Sequence, residues 1–291
     1  MFQDLIHHAA VRPALAALLA LSALPLAASS LAAQERRPSH CIALADAAPG
    51  VSSLQKASFT APVEAETLRI TYVDHATFLL QTAGGISVAT DYTGYLGLVN
   101  FVPDVVTMNH AHSSHWTARP DPRIPHVLKG WGDGRTPADH HLDLGEMLIR
   151  NVPTDIRSRY ESDFVETGGN SIFVFEVAGL CVGHLGHLHH EPDAAQYAAL
   201  GRLDVVMAAV DGGMSLDTAT MMKMLTRLRA SVVIPMHWFG RATLDGFLAG
   251  MSEHYVIEQR GKATYTASLR GLPREPTIVV LEPAFLRESE F

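Results

Sequence analysis

The chain has 291 residues, 47% of them hydrophobic, and a net charge of −8 from 22 Lys and Arg against 30 Asp and Glu. That balance lacks the basic footprint of a nucleic-acid binder and gives no attraction to acidic lipid. Two cysteines cannot build a thiolate metal cluster, whereas 16 histidines are an ample supply of imidazole ligands.

In chain order, Arg12, the apolar run from Ala14 to Ala28 and the small residues Ser30, Ala32 and Ala33 describe a secretory signal peptide over residues 1–33. Pro25 and the shortness of the run argue against a membrane anchor, and no later stretch has the apolar length to cross a bilayer. The mature chain is therefore expected in the periplasm or secreted, with no stable membrane anchor. Residues 34–66 form a turn-rich lead-in, and 67–291 are long enough for one large domain or two small ones.

Alternation and β-branched residues predict strands over Leu68–Val73, Thr77–Thr82 and Ile86–Thr90, with Ala83-Gly84-Gly85 as a turn. A short buried strand, Val102–Met108, runs into Asn109-His-Ala-His-Ser-Ser-His-Trp116. Prolines and glycines over 120–137 predict a long surface loop. Further strands are expected over Glu146–Val152, Ser171–Val177, Leu180–Val182, Asp204–Val210, Ser231–Met236 and Thr277–Leu281. Helices are expected over Asp193–Leu200 and Ser215–Arg229, the second capped by Ser215, with its methionine stripe turned to the core. Hairpins first and strand–helix alternation later predict an α/β fold whose sheets carry helices on their outer faces. Cys41 and Cys181 form one disulfide in an oxidising compartment or remain two separate thiols.

Histidines recur at three strand ends. His110 and His112, two apart, project to one side of an extended backbone, and His115 curls back toward them. His184, His187, His189 and His190 crowd the end of a second strand, and His237 ends a third. Each of these has the plainer reading of a polar strand terminus, and the 184–190 group that of a surface scavenger of metal. Three together point to a bound transition metal.

These segments resemble the metallo-β-lactamase-fold hydrolases across most of the chain. Ile70–Leu80 is similar to the family's opening strand pair and Thr90-Asp91-Tyr92 to its aspartate-bearing turn. Asn109–Trp116 resembles the His-x-His-x-Asp-His motif, Gly169–Glu176 with His184–His187 the bridging-aspartate segment, and Ile234–His237 the final ligand. The resemblance implies an αββα sandwich of two mixed sheets, a metal cleft at one edge, and hydrolysis of a small-molecule substrate.

The departures alter the expected site. Ser114 stands for the motif aspartate and His187 for the bridging aspartate. No histidine occurs over Val152–Arg157, where Asp155 alone has ligand chemistry. Neutral imidazoles do not offset repulsion between two dications, so one ion is expected and a second is not. Its expected ligands are His110, His112, His187 and His237, with His115 next, and the ion zinc before iron, manganese or copper. Asp91 either orients a ligating imidazole or stabilises its own turn. His75, His184, His189 and His190 are placed in or behind the cleft, with a structural role favoured for His75 and His184. Asp155 and Asp211 are the candidate bases, although a turn role is favoured for Asp211, and Trp116, Trp131 and Trp238 are candidate pocket walls. Three functions fit: an exported metal-dependent hydrolase of esters, lactones, amides or phosphodiesters, a histidine-ligated iron or copper oxidoreductase, and a non-catalytic metal-binding protein.

Overall fold

The protein is described by a computed structural model over residues 36–43, 59–110, 112–157 and 165–288. The expected signal peptide at 1–33 lies outside the described residues, as does the 34–66 lead-in apart from 36–43 and 59–66. No helix among the described residues is long and apolar enough to cross a membrane.

A four-residue helix, α1 (His40–Ala43), precedes β1 (Leu68–Asp74), β2 (Thr77–Thr82), β3 (Ser87–Ala89), β4 (Gly97–Leu98), β5 (Val105–Met108) and β6 (His126–Lys129). Next come β7 (His141–Asp143), β8 (Met147–Arg157), β9 (Val165–Val177), β10 (Leu180–His184), α2 (Ala194–Leu200) and β11 (Val205–Ala209). The chain ends with α3 (Thr218–Leu228), β12 (Val232–Met236), α4 (Arg241–Met251), β13 (Val256–Gln259), β14 (Thr264–Ala267), β15 (Thr277–Val280) and β16 (Leu286–Arg287).

The strands form a six-stranded sheet in the order β14-β1-β2-β3-β5-β6 and an eight-stranded sheet in the order β13-β15-β12-β11-β10-β9-β8-β7. Each mixes parallel and antiparallel pairs. Side chains alternate across a strand, and the central strands are apolar on both faces because both faces are covered. In β9, Phe173, Phe175 and Val177 enter the core between the sheets, while Ile172 and Val174 enter the core under the helices. β11 and β12 divide in the same way, and each fully buried side chain of this size contributes roughly 1.5–3 kcal/mol.

The expected α/β sandwich of two mixed sheets is what the chain forms. Among the described residues, the helices α2, α3 and α4 pack on the eight-stranded sheet. The outer face of the six-stranded sheet is covered by loop residues such as Tyr92, Leu96, Phe101 and Trp116, together with Leu286 of β16.

Several boundaries differ from expectation. β6 lies inside the expected 120–137 loop because Val105–Met108 offers it a parallel edge. β14 pairs with β1 far upstream, a contact that local pattern does not announce. α4 contains Gly246 and Gly250, poor helix formers, and owes its place to buried Leu244, Phe247, Leu248 and Met251. Asp217, not Ser215, caps α3, accepting from the Thr220 N–H at 3.0 Å, while the Ser215 N–H goes to Asp211.

Cys41 and Cys181 form a disulfide, with Cα atoms 5.8 Å apart, that ties α1 to β10. Beside it, buried Glu176 accepts from Ser39 Oγ at 2.5 Å, the His40 N–H at 2.9 Å and Arg150 Nε at 2.8 Å.

Candidate metal centre

Loops from both sheets converge at one site. His75 sits in the β1–β2 turn, His112 and His115 follow β5, His187 follows β10, Asp211 follows β11 and His237 follows β12. Six described residues other than glycine have positive φ, and three are here: His75 at 45°, Asp91 at 41° and His237 at 60°. Left-handed backbone costs energy for such residues and persists where surrounding contacts impose it. The contacts are present: the His237 N–H donates to the His75 carbonyl at 2.8 Å, as does the Tyr72 hydroxyl at 2.7 Å.

Hydrogen bonds decide which ring nitrogens keep a lone pair. His115 Nδ1 lies 2.5 Å from Asp91 Oδ2, and Asn109 Nδ2 donates to Asp91 Oδ1 at 2.9 Å. The carboxylate accepts, so His115 carries its proton on Nδ1 and turns a bare Nε2 inward. His237 is arranged alike: its Nδ1 is 3.0 Å from Asp211 Oδ2, close but out of line for a regular hydrogen bond. The two Nε2 atoms face each other at 3.0 Å. With the His237 proton on Nδ1, the form that the nearby Asp211 carboxylate favours, two lone pairs this close would repel unless a cation lay between them. Tetrahedral zinc with bonds of about 2.0–2.1 Å would set its nitrogens about 3.3 Å apart.

Donor atoms of His75, His112, His115 and His237 lie within 4.8 Å of one another, and so do those of His187, Asp211 and His237. His187 Nδ1 and His75 Nε2 are buried without a hydrogen-bond partner among the described residues. A proton is a poor occupant of this space. Burial, then the neighbouring imidazoles His237 and His112, hold His115 well below the ordinary histidine range. Burial and His237 likewise bring His75 down to about 3, and burial with His115 depresses His187. Neutral imidazoles are the ligand form, so the residues present fit a transition-metal ion.

The two carboxylates behind the histidines differ. Burial pushes Asp91 up to about 6, against the pull of His184 and the Asn109 amide. Burial also raises Asp211, but its contact with His237 and donation from Gly213 and Ser215 outweigh that and leave it below the ordinary range. Asp211 Oδ1 accepts from the N–H groups of Gly213 and Met214 at 2.9 Å each, so it serves both its turn and His237.

The other sequence candidates fall elsewhere. His110 is turned out of the cluster: Nδ1 is 2.8 Å from Glu166 Oε1 and the ring stacks on Trp131 at 5.0 Å. Its expected alignment with His112 assumed extended backbone, but β5 ends at Met108 and the chain turns. His184 spends both nitrogens, Nε2 donating to the Ala76 carbonyl at 2.8 Å and Nδ1 accepting from the Gly186 N–H at 3.2 Å. Asp155 accepts from the Gly168 N–H at 2.8 Å within the β8–β9 pairing and joins neither donor group. His189 packs on His187, and His190 is exposed. Trp116 and Trp131 flank His110, whereas Trp238 packs into the helix-side core. Ser114, in the position of the motif aspartate, sets its Oγ 2.7 Å from His112 Nδ1.

Sequence reading underrated His75 and passed over Asn109 and Phe239. A histidine in a tight hairpin turn, where glycine or asparagine is usual, was the available signal for His75. Asn109 spans the sheets, accepting from the Ser171 N–H at 2.8 Å while it holds Asp91. Phe239 is 60% exposed with its ring 5.3 Å from both His75 and His237, so it borders the site.

Residues 69–237, from β1 to His237, match the family model described as the beta-lactamase superfamily domain. Two curated relatives are each named "UPF0173 metal-dependent hydrolase". That of Methanospirillum hungatei is 25% identical over 187 residues, 59% of this chain and 83% of the relative. That of Methanoculleus marisnigri is 25% identical over 183 residues, 59% and 81%. Among solved structures, a Thermotoga maritima protein described as a Zn-dependent hydrolase of the metallo-beta-lactamase superfamily aligns with a TM-score of 0.52. It is 26% identical and covers 74% of this chain and 98% of its own.

Proposed function

The chain belongs to the beta-lactamase superfamily domain family, and from that premise we propose that it is an exported metal-dependent hydrolase with one histidine-held ion, zinc foremost. The observation that carries this reading is the pair of facing Nε2 atoms of His115 and His237, 3.0 Å apart, each backed by a buried carboxylate. His112, His115 and His237 would hold the ion. His75 and His187 would line its remaining side, and their nitrogens, unpaired among the described residues, would orient water or substrate.

Such an ion supplies Lewis acidity and a water acidic enough to attack near neutral pH. The protein's own contribution is orientation. Asp91, fixed by Asn109, holds the His115 ring through Nδ1, and Asp211, fixed by its turn, holds His237. Carboxylates placed behind ligating imidazoles set tautomer and basicity. Asp211 is engaged in this way, so we assign it as a positioning group rather than the base, and Asp155 has no part in the site. The substrate is proposed to be a small molecule with an ester, lactone, amide or phosphodiester bond. The Cys41–Cys181 disulfide supports the export reading, since such bonds persist in oxidising compartments.

The test is elemental analysis of protein purified without chelator or histidine tag, followed by ester and phosphodiester screens. About one zinc per chain, lost in His115→Ala and His237→Ala, is the expected result. Iron or copper would move the reading to an oxidoreductase. A chain that takes up no metal on reconstitution sinks it.

A further inference from the structure

His189 stands next to the donor set without belonging to it. The Arg157 backbone N–H donates to His189 Nδ1 at 2.7 Å. A backbone amide only donates, so Nδ1 presents its lone pair and the neutral ring carries its proton on Nε2. That N–H is buried, with no hydrogen-bond partner among the described residues. The ring lies edge-to-face on His187 at 4.7 Å, and His187 in turn lies 4.6 Å from His112 and 4.9 Å from both His115 and His237. A nitrogen that keeps its proton has no lone pair for a metal. A buried donor without an acceptor is costly and calls for one to arrive.

The geometry assigns to His189 Nε2–H the role of hydrogen-bond donor to the substrate oxygen on which negative charge develops during hydrolysis. The assignment rests on the hydrolase reading. His189 keeps its proton throughout: it stabilises the oxygen as the bond to water forms and as the leaving group departs, and transfers nothing. Arg157 makes the placement firm. Its amide fixes His189, and its guanidinium donates to the Met214 and Ser215 carbonyls at 2.6 and 2.7 Å, within the turn that Asp211 caps. One residue thus holds the donor and the carboxylate behind His237 in a common frame.

Cobalt-loaded wild type, His189→Ala and His189→Gln are titrated with inorganic phosphate, reading the cobalt absorption. Expected are equal cobalt content in all three, phosphate affinity about tenfold weaker in His189→Ala, and recovery in His189→Gln, whose amide donates from nearly the same place. On any substrate found by screening, His189→Ala should lose about 100-fold in kcat with KM little changed. Equal phosphate affinity at equal cobalt content overturns the assignment and leaves the metal centre standing. So does a nitrogen NMR spectrum that places the His189 proton on Nδ1. Failure of every variant, wild type included, to take up cobalt overturns this assignment together with the hydrolase reading, and the metal content tells the two failures apart.

Discussion

Glu176 and Asp91 are both buried carboxylates with nitrogen partners, yet their surroundings differ in kind. Glu176 receives a guanidinium from Arg150, a hydroxyl from Ser39 and a backbone N–H from His40, and Arg150 is itself completed by the carbonyls of Ala199 and Leu200. Burial alone would raise its pKa, but Ser39 and Arg150 outweigh burial and hold it below the ordinary range. Among the described residues Asp91 has an amide, an imidazole and no cation in contact, and burial leaves it raised to about 6. Glu176 is electrostatically finished. Asp91 is short of positive charge, and the chain of contact Asp91–His115–His237 leads to the place where the proposed ion would supply it. A buried acid closed by cations is architecture, and one left open through an imidazole belongs to a centre.

Breaking the finished network should give the largest loss of stability. Glu176→Ala leaves Arg150 buried without its carboxylate and should cost about 3–5 kcal/mol in denaturant unfolding, with metal content unchanged. Reducing the neighbouring Cys41–Cys181 disulfide should cost about 2–4 kcal/mol, again sparing the metal. Asp91→Asn should do the reverse, weakening metal affinity roughly 10–100-fold in competition with a chelator while stability changes little. If Asp91→Asn unfolds the protein and keeps its metal, the distinction between the two sites is false. The smallest effect is on acid stability. Glu176 has a depressed folded pKa, so its stabilisation is complete above the ordinary value of 4.5 and is lost as pH falls through the lower folded value. Glu176→Gln should flatten the fall in Tm below that pH.

Much of this is legible in the sequence alone. Strands ending in histidine announced a centre because a ligand at a strand terminus needs only the strand to be recognised. The parallel core strands were legible because both of their faces are apolar. β14 and β6 were not, since their partners are distant and their own pattern is weak. His110 misled for a local reason: the spacing His-x-His aligns two rings only while the backbone stays extended, and here it turns at once.

By itself, then, the sequence determined the sandwich, the shortage of carboxylate donors in the motif, and the loops that carry histidine. Which imidazoles face one another was decided only in three dimensions. A ring nitrogen is a ligand or a spent donor according to what its other nitrogen meets, and those partners come from distant strands: Asp91 for His115, Asp211 for His237, Ala76 for His184 and Arg157 for His189.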